Sequence, residues 1–110
     1  MDIMVDIDGT LTNERSGFNY VQRTPRLDII DLINKLYESH RITLWTSRHS
    51  EDEQVTRVWL AEHNVKFHVL IFNKPWYDIF LDDKAINACE GKYIEQVEST
   101  IRRDRGGFVE

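Results

Sequence analysis

The chain has 110 residues, 41% of them hydrophobic and twelve of them aromatic, a size and composition that predict one folded domain spanning residues 1–110 and exclude a disordered segment. Fourteen basic residues against 19 acidic ones give a net charge of −5, which excludes an overall basic field for non-specific nucleic-acid binding and leaves local capture of a nucleic-acid end open. Cys89 is the only cysteine, so an internal disulfide and a cysteine-based zinc site are excluded as well.

Residues 2–7 are a short apolar run that ends at Asp8-Gly9-Thr10, where glycine permits a sharp turn; this predicts a buried strand feeding a loop. Residues 12–24 are polar and aperiodic, the pattern of a loop or small hairpin that could act as a flap over the strand ends. From Thr24, taken as a cap with Pro25 in the first turn, the apolar positions Leu27, Ile30, Ile33, Leu36 and Tyr37 fall at helical spacing. Residues 41–46 predict a second strand. Ser50 with Glu53 three positions on predicts a capping box that opens a helix to about His63.

Residues 67–72 and 78–81 predict two further strands, although only 73–77 separate them and a parallel crossover normally needs about a dozen residues. After Gly91, the residues Tyr93, Ile94, Val97 and Ile101 predict a last helix that gives way to a frayed tail from Arg102. Alternating strands and helices in this order point to an α/β fold, three-layer and Rossmann-like, with a mostly parallel sheet. No apolar run reaches the roughly 18 residues of a membrane helix, and the N-terminus lacks the order of a signal peptide; the expectation is a cytoplasmic protein with no membrane partner.

Ligands of open α/β sheets bind beyond the carboxyl ends of the strands. There the sequence places Asp6 and Asp8 after the first strand, Thr46, Ser47 and Arg48 after the second, Lys74 after the third, and Asp82 with Asp83 after the fourth. Converging carboxylates repel unless a cation compensates them, and an all-oxygen set suits Mg2+. A lysine and a hydroxyl can stabilise a transferring phosphoryl group. One carboxylate could then be a nucleophile and a neighbour a general acid and base, but spacing alone does not assign the two roles.

The run V-D-I-D-G-T-L at residues 5–11 resembles the first signature of the haloacid dehalogenase superfamily of phosphohydrolases. Thr46, Lys74 and Asp82-Asp83 resemble its second, third and fourth motifs in the same order, over roughly residues 2–88. The resemblance implies that Asp6 is the nucleophile and a metal ligand. Asp8 would be the proton carrier, its main-chain carbonyl also binding magnesium. Asp82, supported by Asp83, would complete the metal site, and Thr46 and Lys74, with Ser47 and Arg48 beside them, would hold the phosphoryl group. An acid at position 8 implies phosphatase rather than dehalogenase chemistry.

No cap domain is inserted between the motifs, which implies an open site for bulky substrates or a homo-oligomer whose neighbour acts as a lid. The spacing K-P-W-Y-D-I-F-L-D-D-K-A resembles small phosphatases of capsule and surface-sugar biosynthesis, which implies a small-molecule sugar phosphate as substrate. The alternative within enzymes is a nucleotide or nucleic-acid 3′-end phosphatase, for which Arg15, Arg23, Arg48 and Arg57 could form a basic groove. The reading of Arg48 by itself is an anchor for its loop, and Trp76 could stack on a sugar or base or pin the short connection. A response-regulator receiver would place the acidic pair first, not last. A phosphate-binding or metal-binding scaffold would not need the full set that is present.

Overall fold

The structure, a computed structural model, describes residues 1–17 and 19–105. It is a small α/β protein whose residues fall into two compact units, Met1–Asp78 and a second from Ile79 onward. No helix among the described residues is long and apolar enough to cross a membrane.

The first unit is built on a three-stranded parallel sheet in the order β1 (Asp2–Val5), β2 (Arg41–Trp45), β3 (Val69–Ile71). Ile3 pairs with Ile42, Val5 with Leu44, and Leu44 with Leu70, so these side chains share one face. On that face Val5, Ile42 and Leu44 are buried, whereas Met4 and Ile71 on the opposite face are exposed. Helix α1 (Leu27–Leu36) lies against β2 through this asymmetry, with Ile29, Ile30 and Ile33 buried. The burial of three isoleucines stabilises the unit by about 1.5–3 kcal/mol each.

The sequence places the start of α1 too early. Pro25 does not open the helix but pairs across the loop with Thr12, and the helix begins at Leu27, whose side chain is 71% exposed. The inward stripe is centred on Ile29, Ile30 and Ile33 because those positions, not Leu27, face β2. The expected capping box is also absent. Ser50–Asp52 form a single tight turn before α2 (Glu53–Glu62), with no side-chain cap, and Glu53 accepts a hydrogen bond from Arg57 at 2.7 Å instead.

Residues 78–81 form no strand, which corrects the sequence reading. A strand is stable only where its amides and carbonyls find a ladder partner, and the five residues after this sheet edge do not span a parallel crossover. Ile79 and Leu81 are instead 82% and 93% exposed. In the second unit, Tyr93–Arg105 form α3, so Arg102–Arg105 are helical and not a frayed tail; the remainder of that expected tail lies outside the described residues.

Candidate active site

The loop after β1 is organised by one carbonyl. The buried Ile7 oxygen accepts hydrogen bonds from the amides of Thr10, Leu11 and Thr12 at 2.8–3.2 Å. Ile7 and Leu11 are fully buried anchors, and they turn the side chains of Asp6 and Asp8 outward from the end of the strand. Gly9 has φ +84°, a left-handed conformation that a side chain would strain, while the nearest atoms to an added Cβ stand at an ordinary 3.5 Å. The backbone conformation, not crowding, is what requires glycine there.

Asp6 is 38% exposed and faces Lys74, whose Nζ stands 3.9 Å from Asp6 Oδ1. Burial pushes the Asp6 carboxyl above its ordinary value, opposed by the Lys74 charge and the Ile7 amide. Lys74 is placed by the turn after β3: Asn73 adopts φ +64°, its amide donates to the Arg48 carbonyl, and the Lys74 amide donates to the Thr46 carbonyl, both at 2.9 Å. The ammonium is itself largely buried, about 5 Å from the rings of Trp45 and Tyr77. Thr46 is buried where β2 ends, and its Oγ1 accepts the Arg48 amide at 3.1 Å. Ser47 is exposed.

Asp8 has a different environment. Arg48, buried in the loop after β2, donates from Nε to Asp8 Oδ2 at 2.9 Å and from Nη2 to Oδ1 at 2.7 Å. Arg23 donates from Nη1 to the same Oδ1 at 2.7 Å. The Tyr20 ring lies over both guanidinium groups, 3.9 Å from that of Arg48 and 5.1 Å from that of Arg23. Arg48 also donates from Nη1 to Thr56 Oγ1 at 3.0 Å, which in turn donates to the Asp52 carbonyl and ties the site to the start of α2. Arg48 therefore anchors its loop, as its sequence position suggests, and reaches across 40 residues to Asp8 as well.

The loop that the sequence reads as a flap is cross-linked through Thr12, Glu14, Gly17, Arg23 and Thr24. Thr12 Oγ1 accepts from the Gly9 amide and donates to the Glu14 carbonyl. The Glu14 carboxylate accepts from both the amide and the hydroxyl of Thr24, which hold it below its ordinary value. Arg23 donates further to the carbonyls of Glu14 and Gly17, and its own carbonyl accepts the Trp59 indole N–H at 2.9 Å. One residue of this expected loop, Phe18, lies outside the described residues.

Asp6, Asp8, Thr46, Arg48 and Lys74 are thus brought to one end of the sheet. Asp82 and Asp83 belong to the second unit, where both are exposed and Asp82 Oδ2 accepts the Lys84 amide at 2.8 Å. Among the described residues, no group of three or more histidine, cysteine or acidic side chains comes together. Of the four arginines proposed for a groove, Arg23 and Arg48 converge, Arg57 pairs with Glu53, and Arg15 is exposed. Trp76 is 77% exposed and does not pin its connection. Arg23 was named only for a basic groove, and its bond to Asp8 and the Tyr20 ring over both guanidinium groups were missed; an aromatic and a cation three residues apart in a polar loop were the only signal.

No family model matches this sequence, and no curated protein does. A crystal structure of a target protein from Vibrio cholerae superposes with a TM-score of 0.74 at 23% identity, over 94% of this chain and 98% of that one. Two structures of the Pnkp1/Rnl/Hen1 complex, one of them described as an RNA repair complex, superpose with TM-scores of 0.57 at 19% and 18% identity. They match 64% and 92% of this chain but only 27% and 31% of their own. These likenesses show a shared α/β fold.

Proposed function

We propose that this protein is a phosphomonoester hydrolase of the haloacid dehalogenase type, without a cap domain and with the three-layer Rossmann-like arrangement of that superfamily, in which Asp6 is the nucleophile. The observation that carries the reading is the contrast between two carboxylates two residues apart. Asp6 meets only the Ile7 amide and a buried ammonium at 3.9 Å and keeps 38% of its side chain exposed for attack, while Asp8 is held by guanidinium groups.

In this reading the Asp6 carboxylate attacks phosphorus, the bond from phosphorus to the ester oxygen breaks, and Asp8 gives its proton to the departing oxygen. A water then loses a proton to Asp8 and attacks the aspartyl phosphate, which releases inorganic phosphate and restores Asp6. Lys74 faces the transferring group and offsets its charge, and the Thr46 hydroxyl retains a hydrogen to donate to it.

Two oxygens of the first unit suit magnesium, the Asp6 carboxylate and the main-chain carbonyl of Asp8, since the Asp8 carboxylate is already engaged by arginine. Asp82 and Asp83 are the further candidate ligands. The ion would neutralise phosphate charge and fix the ester for in-line attack.

The substrate reading is a small phosphate ester such as a sugar phosphate. The RNA repair complex among the structural neighbours favours a second reading, hydrolysis of a nucleic-acid 3′-phosphate. Both are tested by phosphate release from sugar phosphates, nucleotides and 3′-phosphorylated RNA oligonucleotides, with magnesium or with chelator, and with Asp6→Asn as the blank. Turnover on one class that requires both magnesium and Asp6 supports the reading and selects the substrate. Turnover that survives in Asp6→Asn overturns it.

A further inference from the structure

Asp8 Oδ1 accepts two hydrogen bonds, from Arg23 Nη1 and Arg48 Nη2, both at 2.7 Å, whereas Oδ2 accepts one, from Arg48 Nε at 2.9 Å. A carboxylate oxygen has two lone pairs, so Oδ1 is filled and Oδ2 keeps one open. The Arg48 fork alone fixes the plane of the carboxylate; the third donor, from Arg23, is what distinguishes the two oxygens. Arg23 is itself held on every side. Its guanidinium reaches the carbonyls of Glu14 and Gly17, its carbonyl is fixed by Trp59, and the Tyr20 ring covers it.

We infer that Arg23 is a positioning residue for the proton transfer: together with Arg48 it aims Asp8 so that Oδ2 is the oxygen that carries the proton to and from the ester. The segment that carries Arg23, tied through Glu14, Gly17 and Trp59, is then part of the catalytic apparatus and delivers a guanidinium to the back of the acid. This inference rests on the phosphatase reading, with Asp8 as proton carrier. In the first half-reaction the O–H bond on Oδ2 breaks as the leaving oxygen takes the proton, and Asp8 is left as a carboxylate whose charge the two guanidinium groups balance. In the second half-reaction water returns a proton to the same oxygen.

The dependence on leaving group separates this role from a structural one. An ester with a poor leaving group, such as an alkyl phosphate, needs its oxygen protonated; p-nitrophenyl phosphate, whose leaving group is stable as an anion, does not. The value of kcat/KM reports steps up to formation of the aspartyl phosphate, and the ratio of two substrates on one preparation is independent of how much protein is folded. For Arg23→Gln the expected result is a loss of about 10²-fold in kcat/KM on the alkyl ester, the scale of general acid catalysis, with at most a few-fold loss on p-nitrophenyl phosphate. Asp8→Asn should show the same skew. Arg23→Lys, which keeps the charge without the fork, should recover part of the loss.

Equal losses on the two esters, no loss on either, or a change confined to KM would overturn the assignment while leaving the phosphatase reading intact, provided that Asp6→Asn remains inactive. A wild-type protein that turns over neither ester would remove both.

Discussion

Two stretches of this chain reverse the expectations that their compositions raise. The loop from Thr12 to Pro25 is polar and aperiodic, yet it is fastened by a backbone bridge, a carboxylate that accepts two donors, and a buried arginine. The segment Ile79–Leu81 is apolar and reads as a strand, yet it has no ladder and stands open to solvent. The difference teaches that order follows from satisfied partners rather than from hydrophobicity: hydrogen bonds made in a protected setting hold a polar loop, while an apolar run without a neighbouring strand forms no ladder.

The sharpest way to break the contrast is to remove the buried cation that shares Asp8 with the loop's Arg23. Arg48→Ala should destabilise the protein by about 3 kcal/mol, because it removes two of the three donors to Asp8 and strands a partly buried carboxylate. Chemical denaturation measures this loss. A change below about 0.5 kcal/mol would mean that the salt bridge contributes nothing net.

Trp59→Phe keeps most of the buried ring volume but removes the indole donor to the Arg23 carbonyl, at a cost of about 1–2 kcal/mol. Its effect should concentrate in faster amide exchange at the backbone-bonded residues Asn13 and Arg26 on either side of the loop. Uniform acceleration across α1 and α2 would show that the loop has no separate tie there.

Glu14 supplies a pH test. Its folded-state value is held below the ordinary 4.5 by Thr24, so its contribution is present above pH 4.5 and is lost as pH falls through the depressed value. The melting temperature of the parent protein should therefore exceed that of Glu14→Gln at neutral pH, with a difference that closes in acid. A gap that widens below pH 4.5 would reverse the sign and refute the assignment.

The smallest effect belongs to the other region. Leu81→Ser should change stability by no more than about 0.5 kcal/mol, since the side chain is already in water. A loss of 2 kcal/mol or more, the scale of removing a buried leucine, would show that the segment is covered in solution.

Much of the first unit was legible in the sequence because its elements are local. β2 has alternating apolar residues, α1 has isoleucines three and four apart, and β1 runs directly into a glycine that needs a left-handed turn. Boundaries were less legible where local signals compete: Pro25 serves a bridge rather than a helix start, and Glu53 is engaged by Arg57 rather than by a cap. At the site, the Asp6 to Lys74 approach follows from β1 and β3 flanking β2 in parallel, so that both chain ends leave the same end of the sheet. The arginine clamp does not, because the pairings of Asp8 with Arg23 and Arg48 span 15 and 40 residues and depend on a loop with no period to read. The acidic pair Asp82-Asp83 was assigned by motif order alone, and the residues before it, 78–81, form no strand.

The central claim is that Asp6 becomes phosphorylated. It is tested most directly by acid quenching during turnover of a phosphate ester with magnesium, followed by peptide mass analysis. The account predicts one added phosphoryl group on the peptide that contains Asp6, lost on treatment with hydroxylamine and absent from Asp6→Asn. A label that remains in Asp6→Asn, or one that maps to Asp8, would contradict it.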